Sequence, residues 1–142
     1  MASDDDQLFG EEHVSAYRES GGERGYIWRG AEILLLTTKG RKSGEDRTMA
    51  LIQRADGDDR WVVVASKGGA PQHPAWFLNM RGNPDAVRVQ VRADEFPARF
   101  HVAEGEERER LWQAMTDVWP DYDAYQAKTD RQIPVVVLER AG

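Results

Sequence analysis

The sequence predicts a mainly β domain of the α+β kind: a small barrel of about six mostly antiparallel strands with covering helices. Short apolar runs rich in Val, Ile and Leu recur along the chain, parted by turns that carry Gly, Asp and Pro. Helical spacing is confined to the start, the middle and the stretch before the last strand, so strands and helices do not alternate. No G-x-G-x-x-G follows the first strand. The last two observations set a doubly wound dinucleotide fold aside, and closure into a barrel removes the exposed edges of an open sheet.

At 142 residues the chain makes one folding unit with a real core. It divides into an acidic N-terminal tail and helix, residues 1–20, and a single barrel domain, residues 21–142. With 19 basic and 25 acidic residues the formal charge is −6, which argues against a nucleic-acid binder gripping phosphates over its whole surface. The lack of cysteine removes disulfides, thiolate nucleophiles and cysteine-ligated metals, and it fits a reducing compartment. No run approaches membrane-spanning length, and Met1-Ala2-Ser3-Asp4-Asp5-Asp6 is acidic where a secretory signal would be basic. A cytoplasmic protein is therefore expected.

Residues 7–20 carry Leu8, Phe9, Val14 and Tyr17 at loosely helical spacing, stopped by Gly21-Gly22. The stripe is thin, and the helix is expected to pack on the domain, with a mobile flap as the alternative. Asp4, Asp5, Asp6, Glu11 and Glu12 make a solvated face that disfavours anionic lipid, so a peripheral membrane contact is not indicated. Tyr26 and Trp28, between Gly25 and Gly30, read either as a pocket cover or as a cap on the core. Residues 31–38 and 47–55 form two strands joined by a hairpin loop, and Asp56-Gly57-Asp58-Asp59 turns into a third strand over 60–66. A short helix then opens at Pro74 and closes at Gly82-Asn83-Pro84. Residues 86–91 alternate, with Val87, Val89 and Val91 inward against Arg88 and Gln90. Pro97 interrupts the strand over 96–102 and predicts an edge position or a bulge. Leu111, Trp112, Met115 and Val118 give 104–118 a helical apolar stripe that Trp119-Pro120 ends. Residues 121–128 form a second short helix with Tyr122 and Tyr125 on one face, and the β-branched run 133–138 is the last strand.

Function is written in two turns. Ser66-Lys67-Gly68-Gly69 follows the apolar run 61–65, and Pro74 opens a helix just beyond it. Glycines let backbone N–H groups converge on a ligand, Lys67 adds a cation, and a helix start adds unpaired N–H groups. Phosphate or a flavin-like ring edge suits such a cradle, although a Gly-Gly after a strand also serves as a plain turn. The second turn weighs for the cradle. Lys39, Arg41, Lys42, Arg47 and Arg54 against Glu45 and Asp46 make 39–54 carry +3 while the remainder carries −9. Arg-Lys-Ser between Gly40 and Gly44 can clamp phosphate or carboxylate, Arg bidentately and Lys as a point charge; the alternative is a solvated hairpin tip. In a three-strand meander the first hairpin and the exit of the third strand lie at one end, so both turns are expected at one rim.

The usual catalytic constellations are absent. His13, His73 and His101 are scattered, and there is no nucleophile elbow, P-loop or metal-spaced carboxylate cluster, so no metal site is predicted. His73 reads as a helix cap or a structural hydrogen bond. An anion cradle with aromatic walls and no acid-base machinery fits a protein whose cofactor does the chemistry.

Gly22-Glu23-Arg24-Gly25-Tyr26, the run 34–44 (Leu-Leu-Leu-Thr-Thr-Lys-Gly-Arg-Lys-Ser-Gly), Ala65-Ser66-Lys67-Gly68-Gly69, His73-Pro74-Ala75-Trp76-Phe77-Leu78-Asn79, Asn83-Pro84 and the region 122–137 resemble the deazaflavin-dependent nitroreductase family, in matching order over nearly the whole of 21–138. The resemblance implies a split β-barrel of the FMN-binding-protein kind that uses coenzyme F420. It implies that Arg41, Lys42 and Ser43 hold the phosphate and acidic tail, with Arg47 beside them on the strand. Ala65, Ser66, Lys67, Gly68 and Gly69 would lie along the ring, and Trp76 and Asn79 would flank it. Ser66, Tyr122 and Tyr125 would line the substrate side, as the catalytic group. The implied reaction is hydride transfer from the reduced cofactor to a quinone, enone or nitro compound.

The chain departs from that family's pattern at Trp119, Phe77, Lys39 and Ala50, where tyrosine, tyrosine, threonine and proline are common. Loss of a hydroxyl near the substrate side counts against nitroimidazole prodrugs, and Lys39 strengthens the anion site. A noncatalytic cofactor- or lipid-binding barrel and an FMN-dependent flavoprotein are the alternative functions. Oligomeric state is not written in the sequence.

Overall fold

The computed structural model of the chain describes residues 4–141. Its strands run β1 (Ile27–Trp28), β2 (Ala31–Lys39), β3 (Asp46–Ala55), β4 (Arg60–Val64), β5 (Arg88–Val91), β6 (Asp94–Val102) and β7 (Val135–Arg140). They form one sheet in the order β1-β2-β3-β4-β7-β6-β5, closed by pairing of β2 with β5. The expected antiparallel barrel is therefore present, six strands closing the ring and β1 added at its margin. Two paired residues in a four-residue stretch between glycines are too short a run to be read as a strand, and only the pairing of Ile27 with Glu32 and Trp28 with Ala31 makes β1 one.

The helices are α1 (Gly10–Ser20), α2 (Ala75–Gly82), α3 (Gly105–Val118) and α4 (Asp121–Ala127). None of them, among the described residues, is long and apolar enough to cross a membrane. They explain why several strands are apolar on both faces. From β2, Leu34 and Leu36 enter the barrel core with Val63, Val89 and Leu138, while Ile33 and Leu35 meet Tyr17 of α1. From β4 and β7, Val62, Val64, Val135 and Val137 pack under Leu111 and Met115 of α3 and Tyr122 of α4. A strand covered on both faces reads as a continuous run rather than an alternation.

Two expectations need correction. Gln90 is 8% exposed, not solvated, since α1 covers that face of β5: its amide donates to Arg92 O at 2.9 Å, and the Gln90 carbonyl accepts from Tyr17. Pro97 lies neither at an edge nor in an extra-residue bulge but at the corner where β6 changes partner, opposite Arg88 of β5 while Ala98 is already opposite Arg140 of β7. A residue with no N–H is tolerated where the ladder is handed over.

Pairing of β3 is lopsided, and this opens the barrel. It runs with β2 from Glu32↔Gln53 to Lys39↔Asp46 but touches β4 only at Arg54↔Val62 and Ala55↔Trp61. Beyond that base β4 follows β7, and the two strands part.

Helix α1 lies against β2 and β3 and is pinned at both ends. Tyr17 donates to Ile33 O at 3.0 Å and accepts from Arg92 N at 2.7 Å. His13 Nε2 donates to Gly25 O at 2.8 Å, and a Cβ at Gly25 would stand 2.8 Å from the imidazole. Trp28 Nε1 donates to Leu8 O at 2.9 Å. Of the expected stripe, Leu8 and Tyr17 are buried but Phe9 is 81% exposed, because α1 begins only at Gly10 and leaves Phe9 extended before it.

Candidate functional site

A cavity of about 660 Å³ fills the gap between β3 and β4. One wall is β3 from Asp46 to Ile52. Facing it are Val64, Ser66 and Gly68, then Trp119, Tyr122 and Tyr125 around α4, and Leu8, Phe9, His13 and Val14 close the side. Trp28 stacks on Trp119 with ring centroids 5.9 Å apart, and Tyr122 meets Tyr125 edge-on at 6.1 Å. Trp119 Nε1 reaches Tyr125 Oη at 3.4 Å. Burial pushes the Tyr122 phenol well above its ordinary range, so it stays a neutral hydrogen-bond donor at working pH. The walls suit a flat, mostly apolar molecule with a few polar atoms.

The rim above the cavity is cationic. Antiparallel pairing of β3 with both neighbours puts the end of β2 and the end of β4 on the same side of the barrel. Arg41 ties the hairpin tip to α2, its backbone N and Nη1 both donating to Asn79 Oδ1 at 3.1 Å. Within the tip, Gly40 N donates to Glu45 O and Gly44 N to Gly40 O, each at 2.8 Å, and Ser43 Oγ accepts from Glu45 N at 3.1 Å. Arg41 and Lys42 are left exposed.

After β4, Ser66 takes right-handed helical angles (φ −79°, ψ −40°) and Lys67 left-handed ones (φ 46°). Such a pair gathers successive N–H groups into one concavity suited to an anion. A Cβ at Gly68 would meet nothing within 4 Å, so this side of the turn is open. Gly69 is closed in: at φ +85° its Cβ would lie 2.5 Å from Tyr125 O.

The structure thus gathers Ser66, Gly68, Tyr122, Tyr125 and Arg47 into the lining of one cavity. Arg41, Lys42, Ser43 and Lys67 belong to the rim turns. Ala65 and Trp76 sit in the barrel core, and Asn79, 5% exposed, faces Arg41. His73 is a structural hydrogen-bonding group: Nδ1 accepts from Arg131 Nη1 at 3.1 Å, and no side chain caps α2.

Several contributors were not singled out as site residues. Thr48 to Ile52 read as ordinary strand, and only the parting of β3 from β4 turns them into a wall. Both readings of Trp28 hold: it packs on the core cluster of Tyr17, Ile33 and Leu35 and lines the cavity. Arg131, in a polar linker, carries no local signal at all.

A donor-rich rim over an apolar cleft in a split β-barrel suits an extended anionic molecule with a flat head. Comparison with known proteins is consistent with this. The F420H(2)-dependent quinone reductase family matches residues 9–140. An F420H(2)-dependent quinone reductase of Mycobacterium tuberculosis is 39% identical over 132 residues, covering 90% of this chain and 87% of that protein. A solved F420-H2 dependent reductase is 42% identical, covers 75% of this chain and 93% of its own, and superposes with a TM-score of 0.67. A second structure, described as a domain-swapped dimer, is 38% identical with a TM-score of 0.71 and covers 90% of this chain and 92% of its own. The chain belongs to the F420H(2)-dependent quinone reductase family, which agrees with the deazaflavin resemblance in its motifs.

Proposed function

We propose that this chain is a coenzyme F420-dependent reductase acting on quinones, with enones and nitro compounds as further acceptors. The observation that carries the reading is the split between β3 and β4, an apolar cavity beneath a rim of cations and open N–H groups. The donor set fits the coenzyme: the exposed cations Arg41, Lys42 and Lys67 and an N–H concavity for phosphate and carboxylates, and an apolar slot for a ring.

When bound, the reduced coenzyme supplies a hydride, which with one proton converts a quinone to its hydroquinone. The rest is the work of this chain's residues. Arg41, Lys42 and Ser43 bind the acidic tail, with Arg47 beside them. Lys67 and the N–H groups of Lys67 and Gly68 bind nearer the ring. Asn79 orients Arg41, and Trp76 braces α2 from the core. Ser66, Tyr122 and Tyr125 face the acceptor, the Tyr122 phenol donating a hydrogen bond to its oxygen. Leu8, Val14 and Ile52 exclude water, which strengthens each of these polar contacts.

The test is a fluorescence titration with coenzyme F420 and with FMN, followed by oxidation of the reduced coenzyme against quinones, enones and nitroaromatics. Binding of the deazaflavin with quinone-dependent oxidation is expected. Tighter FMN binding would overturn the cofactor, and binding without turnover would leave a storage or delivery protein.

A further inference from the structure

We propose that Arg131 is a positioning residue that fixes the Ser66–Gly69 turn and sets its spacing from α4. This rests on the reading of the cleft given above. Arg131 lies between α4 and β7, yet it reaches back to the end of β4. Nε donates to Ala70 O at 2.8 Å, Nη2 to Ser66 O at 2.7 Å and Nη1 to Ala65 O at 3.2 Å. The fourth contact is His73 Nδ1, 3.1 Å from Nη1. An arginine only donates, so His73 is neutral here with its proton on Nε2.

One planar fork therefore gathers three carbonyls of a six-residue turn on one side. Across a trans peptide the carbonyl of one residue and the N–H of the next point opposite ways, so with Ser66 O held in the fork the Lys67 N–H faces away from it, and the Ser66 and Lys67 backbone angles bring the Gly68 N–H alongside. These first N–H groups of a helical turn have no acceptor within it. Ser66 O also accepts from Gly69 N at 2.9 Å and Lys67 O from Ala70 N at 3.1 Å, so the fork holds a turn already folded on itself.

The same joint sets a distance. Gly69 packs so closely on the Tyr125 backbone that a Cβ would reach within 2.5 Å of its carbonyl. Arg131 follows Tyr125 by one turn and a short linker, so it draws the acceptor side of the cleft and the N–H concavity together. Hydride transfer is steep in donor–acceptor geometry, and a joint between the two sides is where that geometry is decided.

Arg131→Ala and Arg131→Lys would be compared with the wild-type protein in two measurements. In the apoprotein, amide hydrogen exchange at Gly69 and Ala70 should speed up about tenfold in Arg131→Ala, while Val136 and Leu138 in β7 stay as they were. Coenzyme F420 should bind about tenfold more weakly, with the quinone KM within about twofold. Arg131→Lys keeps the charge but not the fork, and should fall between. A folded Arg131→Ala protein with wild-type exchange at Gly69 and Ala70 overturns the proposal. If that variant does not fold, wild-type exchange and affinity in Arg131→Lys overturn it equally. A wild-type protein that fails to bind coenzyme F420 defeats the functional reading instead, and the exchange result still decides the role of Arg131.

Discussion

Asn79 shows how a buried amide can act at a distance from the ligand. One side-chain oxygen accepts both the backbone N–H and the guanidinium of Arg41, and it does so 5% exposed, with little competition from water. Asn79→Ala would leave two donors without their acceptor and free the hairpin tip, at about 1–3 kcal/mol of local order. The coenzyme Kd should rise about tenfold while the fold persists. An unchanged Kd in the titration would show that Arg41 is held by something else. Neither this contact nor the Arg131 fork could be read from the sequence. Lys42, Lys67 and Gly68 announce themselves by type and by neighbours; Asn79 is marked by its motif but not its hold on Arg41, and Arg131 looks ordinary until the fold brings positions 38 and 65 residues away against them.

Helix α1 is the element whose role was least legible. Its thin stripe suggested packing but not that it would wall the cavity through His13 and Val14. Its attachment depends on a backbone position only glycine suits: Gly25 has φ +84°, and a Cβ would collide with the His13 ring. Gly25→Ala combines left-handed strain of about 1–2 kcal/mol with displacement of the imidazole from its carbonyl. The melting temperature should fall by about 5 °C or more, and the quinone KM should rise as the wall loosens. A melting curve that overlays the wild type would refute this account of how α1 is held. The strands fared better. Residues 31–38 and 47–55 were legible as a hairpin because Gly-bearing turns bounded them, and their cores match β2 and β3. The burial of Gln90 and the corner at Pro97 were not, since both depend on partners far along the chain.

At the scale of the whole molecule, stability is tied to acid through His73. Burial first, then the charge of Arg131 from the linker before β7, then that of Arg81 on α2, hold its imidazolium below the ordinary histidine value. Above about pH 6.5 both folded and unfolded chains carry it neutral, and its contribution is complete. As pH falls from about 6.5 toward the lowered folded value the unfolded chain takes the proton first, and stability is lost until that value is passed. Between about pH 7.5 and about pH 5 the wild-type melting temperature should therefore drop more than that of His73→Gln, which keeps an acceptor for Arg131 but cannot titrate. Equal drops would remove His73 from the account. Asp56 and Glu107, held below the usual carboxylate range by Arg110 and His101 respectively, add their own losses only in stronger acid. The closed barrel was visible from composition and period, but its opening was not, because nothing in the residues of β3 says that its pairing with β4 stops at Arg54 and Ala55. That arrangement has a mechanical result. Each jaw is laced along its far side to the rest of the ring, β3 to β2 and β4 to β7, so the mouth is a gap between braced strands, and a guest entering it breaks no ladder.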